Sequence, residues 1–197
     1  VHITSYRPFP GKRIVEALKK VKAFSVLERM DNPLAESNPL TLEIKAAFTD
    51  NLEPDGNGNI KIPKIYSGSA GLGSRDVRPD DVMAVVENML KDDKKYFAIG
   101  IDHELALETG GSTDIRCEGT FSMRGHSVGG YGSVTTNKII ATIVADLFDM
   151  YVQAYPKYGS EKKGLPTTYY LTVSPERVKT HNELEFVEFV PLNDINA

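Results

Sequence analysis

Two periodicities alternate along the first ninety residues. VHITSYRPF (1–9) is rich in β-formers, and GKRIVEALKKV (11–21) then places Ile14, Val15, Leu18 and Val21 on one helical face. KAFSVLERM (22–30) is a second short apolar run, and DNPLAESNP (31–39) reads as a loop from its two prolines and turn formers. LTLEIKAAF (40–48) predicts a helix and IKIPKIYSG (60–68) a strand. DVMAVVENMLK (81–91) predicts another helix, capped by Asp80 or Asp81 after Pro79. Strand and helix patterns in alternation predict an α/β domain with a largely parallel sheet.

The charged stretch KDDKK (91–95) is the predicted boundary, giving domains at 1–90 and 96–197. YFAIGI (96–101) predicts a strand, the polar DHELALETGGSTD (102–114) a connection, and IRCEGTFSM (115–123) a strand that enters a glycine-rich loop. From Ser133 to about Tyr155 the pattern predicts one long helix. Ile140, Ile143, Val144, Leu147, Phe148, Tyr151, Val152 and Tyr155 recur at helical spacing, and this stripe is the expected core of the second domain. TTYYLTVS (167–174) and EFVEFV (185–190) predict two closing strands.

Composition narrows the function classes. The 197 residues are 41% hydrophobic and 25% charged, with a net charge of −4, and no Lys/Arg patch interleaved with aromatics appears. Nucleic-acid binding is not expected. The single cysteine, Cys117, cannot by itself form a disulfide, a Cys-rich zinc site or an iron–sulfur cluster. The most apolar stretch, Ile139 to Phe148, is too short to span a bilayer. No signal peptide opens the chain, and a cytoplasmic location is the expectation. The first residue is Val1, as expected of a fragment or a processed chain.

The candidate chemistry lies in SMRGHSVGGYGSVTTNK (122–138). Gly125-His126-Ser127-Val128-Gly129 matches G-x-S-x-G, the nucleophile elbow of serine hydrolases, with His181 the only downstream histidine. An elbow needs a helix directly behind the serine, and Gly129, Gly130 and Gly132 disfavour one there. The competing reading is a phosphate cradle. Glycines let backbone N–H groups approach an anion, a Thr-rich helix start points its positive end at it, and Arg124, His126 and Lys138 supply countercharge. Against both stands a plain strand-to-helix turn. Elsewhere, DHELALE (102–108) lacks the second His of a zinc helix, and DGNGN (55–59) lacks the Gly and Glu of a calcium loop. GSAGLGSRD (68–76) is a second Gly-rich loop, read as structural, and YGSEKKG (158–164) is a basic loop able to reach a polyphosphate.

Taken together, SYRPFP (5–10), VLERMDNP (26–33), PLTLEIKAAF (39–48), GLGSRDVRPDDV (71–82), YFAIGI, NKII (137–140) and YVQAYPKYGSEKKG (151–164) resemble the 2-oxoacid:ferredoxin oxidoreductases, with pyruvate:ferredoxin oxidoreductase the nearest pattern. The resemblance covers nearly the whole chain. It implies two consecutive three-layer-type α/β domains: a transketolase-C-terminal-like domain, then part of the family's gamma domain. It also implies an enzyme in which thiamine diphosphate with Mg carries decarboxylation of the 2-oxoacid, iron–sulfur clusters pass electrons to ferredoxin or flavodoxin, and coenzyme A takes up the acyl group. An oxalate-oxidising branch of the family works without coenzyme A.

The thiamine motif and cluster cysteines are absent from these 197 residues, so other domains or subunits of an oligomeric enzyme are implied to carry them. Here the resemblance nominates Arg124, Gly125, His126, Gly129, Gly130, Gly132 and Lys162 for coenzyme A, and no catalytic residue. A second class of function is a non-catalytic assembly module that uses its apolar helix face for packing.

Overall fold

The computed structural model describes residues 1–54, 56–158 and 164–195. The chain forms two compact units, Val1–Gly111 and Ser112–Ala197. The division therefore falls some sixteen residues beyond KDDKK. Lys91 closes a helix, and Tyr96 begins a strand that joins the first sheet, so 91–95 is a connection inside the first unit.

In that unit β1 (Ala23–Glu28), β2 (Lys64–Ser69) and β3 (Tyr96–Ala98) form a parallel sheet in the order β1-β2-β3. Helices α1 (Gly11–Leu18) and α2 (Pro39–Asn51) pack on one face, where Ile14, Val15, Ile44 and Phe48 meet Val26 and Ile65. Helix α3 (Pro79–Lys91) covers the other face, with Val85 against Tyr66, Phe97 and Ile99. Helix, sheet and helix make three layers. Arg78 is the N-cap of α3, and the Asp81 carboxylate accepts its backbone N–H at 2.8 Å, so Asp81 acts one turn later than a cap. Residues 1–9 form no strand. Pro8 and Pro10 remove backbone donors there, and Ile3 and Phe9 instead pack on the α1–α2 core.

In the second unit β4 (Phe121–Val128), β5 (Tyr151–Lys157) and β6 (Pro166–Ser174) form an antiparallel sheet in the order β4-β6-β5. Helix α4 (Ser133–Phe148) packs on one face. The three-layer arrangement is complete in the first unit. The described residues of the second form a helix layer over a sheet, with 188–193 running along the free edge of β4 through single bridges at Phe189 and Leu192. EFVEFV is thus not a regular strand.

Two further expectations are corrected. The helix ends at Phe148 because Asp149 turns left-handed (φ 51°), and Tyr151–Lys157 is a strand. Tyr151, Val152 and Tyr155 are β-branched or aromatic, so they suit a strand as well as the helical period. Of the expected core stripe, Val144 and Val152 pack in the core of the second unit. Val134, Ala141 and Val144 face the sheet, whereas Leu147 is 73% and Phe148 65% exposed. Helix α4 is apolar almost all round, so periodicity does not select its buried face.

Candidate functional site

β4 does not end at Met123. It continues to Val128, so Arg124, Gly125, His126 and Ser127 are strand residues and alternate between faces. Met123, Gly125 and Ser127 point toward α4. Met123 packs with Val134 and Ala141, and the Ser127 hydroxyl lies 2.6 Å from that of Ser133. Arg124 and His126 take the opposite face, where the Arg124 guanidinium stands 5.8 Å from the Tyr170 ring centroid. There Tyr170 donates to Glu183 at 3.0 Å, and Lys157 pairs with the same carboxylate. Hydrogen bonds from Lys157 and then Tyr170 hold the Glu183 carboxyl below its ordinary range, and burial pushes the Tyr170 phenol up. The buried Arg124 Nε has no partner among the described residues.

This geometry removes the hydrolase reading. Ser127 is 1% exposed, sits inside a strand, and hydrogen-bonds another serine. His181 contacts Gln153 instead.

The glycines divide as well. Gly125 has its own structural reason, since Tyr169 of β6 lies directly over it. Gly129, Gly130 and Gly132 form the turn into α4. Gly130 (φ 101°) and Gly132 (φ 84°) adopt left-handed conformations that L-residues rarely take. Gly129 N–H donates to Leu165 O, and Gly129 O accepts from Gly164 N–H, both at 2.9 Å. Gly164 and Leu165, just before β6, thus lie beside the glycine turn. Lys162, between β5 and β6, lies outside the described residues, as does Asp55 at the head of DGNGN.

The turn can receive an anion. The first intrahelical bond of α4 runs from Thr136 N–H to Gly132 O at 2.9 Å. The N–H groups of Ser133, Val134 and Thr135 therefore have no acceptor within the helix. No side chain caps this end and no acidic residue lies in its first turn. Among the described residues a Cβ at Gly132 would meet nothing within 4 Å, so the space at Gly132 is open to them. Sixteen residues of helix direct their dipole at that space. The structure brings Gly129, Gly130 and Gly132 together there, and it does not bring Arg124, Gly125 or His126.

Sequence reasoning missed Asn137. It is 2% exposed, donates from Nδ2 to Tyr170 O at 3.0 Å, and fixes the first turns of α4 against the sheet. An Asn one turn into an apolar helix was the available signal.

Two α/β units, the second carrying a glycine-rich strand-to-helix turn, define the class of module. Comparison with known proteins is more specific. Residues 1–82 match the family model for pyruvate:ferredoxin oxidoreductase core domain II, and residues 122–195 match that for pyruvate ferredoxin/flavodoxin oxidoreductase. One match falls in each unit. A pyruvate-flavodoxin oxidoreductase of Enterobacter agglomerans is 28% identical over 196 residues, 96% of this chain and 16% of that protein. A putative one of Synechocystis is 30% identical over 195 residues, 94% of this chain and 15% of that protein. A probable one of Escherichia coli K12 is 30% identical over 194 residues, 94% of this chain and 16% of that protein. A pyruvate oxidoreductase subunit of known structure from Thermotoga maritima shares 24% identity, covers 38% of each chain and has a TM-score of 0.32. The chain belongs to the pyruvate:ferredoxin/flavodoxin oxidoreductase family. It spans about a sixth of the length of the curated relatives it matches. Among the described residues, no helix is long and apolar enough to cross a membrane.

Proposed function

We propose that this chain is part of a cytoplasmic 2-oxoacid:acceptor oxidoreductase, acting on pyruvate or a related 2-oxoacid and passing electrons to ferredoxin or flavodoxin. Its first unit is the transketolase-C-terminal-like domain and its second is part of the gamma domain. In this reading the second unit binds coenzyme A through the turn Gly129–Gly132 and the first turn of α4. Other domains carry thiamine diphosphate, Mg and the iron–sulfur clusters, since Cys117 is the sole cysteine here.

The observation that carries the coenzyme A assignment is the open, uncapped start of α4, with three N–H groups free of helical acceptors. Those groups would hold a phosphate of the coenzyme, with the Thr135 hydroxyl and Lys138 nearby in sequence. The coenzyme would supply the thiol that takes up the acyl product. The residues of this chain do no bond-making. They bind an anion and orient it, and the hydrogen bonds of Gly129 keep Gly164 and Leu165 beside the turn.

Gly130→Val tests this in the intact enzyme. A β-branched side chain cannot settle at φ 101° without reshaping the turn. The KM for coenzyme A is expected to rise at least tenfold, with the KM for the 2-oxoacid near its original value. An unchanged coenzyme A KM contradicts the assignment, and activity that never needs coenzyme A points to the oxalate-type branch.

A further inference from the structure

The first unit has its own glycine-rich turn, GLGSRD, which the reading above leaves unused. It closes a cleft of about 370 Å³ at the carboxyl ends of β1 and β2, the edge where ligands of parallel α/β sheets bind. Small-molecule sites have volumes of roughly 300–1,000 Å³. Arg29, just after β1, lies against the turn. Its Nε donates to Gly71 O and its Nη2 to Ser74 Oγ, both at 3.2 Å. Arg75 reaches across to the end of β3, with Nη1 donating to Gly100 O at 3.3 Å. The two guanidinium groups therefore come from different strand ends and line one cleft.

Among the described residues, Arg29 and Arg75 donate to neutral oxygens, whereas Arg7 and Arg116 each meet a carboxylate. Glu28 lines the same cleft, but both of its oxygens are already used. They accept the N–H groups of Leu40 and Thr41 at 2.7 and 3.0 Å. Asp76, also in the lining, has partners of its own. The turn itself is held in an improbable shape, with Gly71, Gly73 and Ser74 all left-handed at φ 68°, 63° and 60°. A tight turn can direct successive backbone N–H groups toward one side, a concavity that suits anions. A guanidinium keeps several donors after one or two bonds, and its planar fork matches carboxylate and phosphate oxygens.

We propose that Arg29, Arg75 and the Gly71–Ser74 turn form a binding site for a small, multiply charged anion, a phosphate ester or a dicarboxylate. The site is separate from the α4 turn and does not depend on the coenzyme A reading.

The test titrates sodium pyrophosphate into the 197-residue chain and follows backbone and arginine Nε–H resonances by 15N NMR. Saturable shifts at Arg29 and residues 71–76 are expected, weakened at least tenfold by R29Q and by R75Q. R13Q, on the exposed side of α1, should bind like the parent. Malonate separates the two ligand sources: tighter pyrophosphate assigns a phosphate group, and equal or tighter malonate assigns a carboxylate. If a glutamine variant does not fold, R29K replaces it, and a loss smaller than that of a full charge removal is expected. Shifts that rise linearly without saturation overturn the site, as does a response that survives both glutamine substitutions. Saturable binding of an acidic peptide with no pyrophosphate response also overturns it, because the arginines would then be a protein-docking contact.

Discussion

Tyr169 lies across Gly125 in the pairing of β4 with β6, so closely that a Cβ on Gly125 would stand 2.0 Å from Tyr169 Cζ. An aromatic ring covering a strand glycine fills the space the missing side chain leaves. Gly125 is thereby a packing residue, whatever motif it belongs to in sequence. Gly125→Ala should destabilise the second unit by roughly 1–3 kcal/mol, the usual cost of overpacking. The check is the urea midpoint of the variant and of Gly125→Ala combined with Tyr169→Ala. The second substitution should relieve the clash, and simple additivity of the two losses would argue against it.

Glu28 and α2 give a second prediction. The Glu28 carboxylate accepts from Leu40 N–H, Thr41 N–H and Thr41 Oγ1, and so occupies the N-terminus of α2 from inside the sheet. Glu28→Ala strands two buried donors and should cost about 1–3 kcal/mol of stability in the first unit. Glu28→Gln keeps one acceptor and should cost less. Equal losses for both would show that the contribution is packing and not hydrogen bonding.

The third concerns pH. Glu183 is lowered from 4.5 chiefly by the hydrogen bond from Lys157. A depressed carboxyl contributes stability that is present above its unfolded value and lost as pH falls through the folded one. The parent should therefore exceed Glu183→Gln in stability near pH 7, by a few tenths to about 1 kcal/mol for so exposed a pair. That advantage should shrink as pH drops below about 4.5. A difference that stays constant from pH 7 to pH 3 would contradict the assignment.

Most of the first unit was legible in the sequence because its helices and strands obey single periodicities. GKRIVEALKKV buries Ile14 and Val15 as its spacing selects, and only Val21, past the end of α1, stays exposed. The second unit was less legible for two physical reasons. Asp149 ends α4 by a backbone conformation that its sequence does not signal, and the aromatic residues that follow fit either period. β4 carries a glycine in its middle, which reads as a loop until Tyr169 is placed over it. The same error put Arg124 and His126 at the anion site. The glycines that do form the turn were identifiable, since Gly129, Gly130 and Gly132 directly precede a hydroxyl-rich helix start. The Arg29–Arg75 cleft was not, because its two arginines are 46 positions apart and meet only through β1 and β2 pairing.

The measurement that bears most directly on the central claim is 2-oxoacid-dependent viologen reduction by the native enzyme containing this chain, with and without coenzyme A. Pyruvate or a related 2-oxoacid should drive reduction, and omitting coenzyme A should abolish it. Absence of reduction with every 2-oxoacid tried, in enzyme shown to hold its thiamine and iron–sulfur cofactors, would contradict the account.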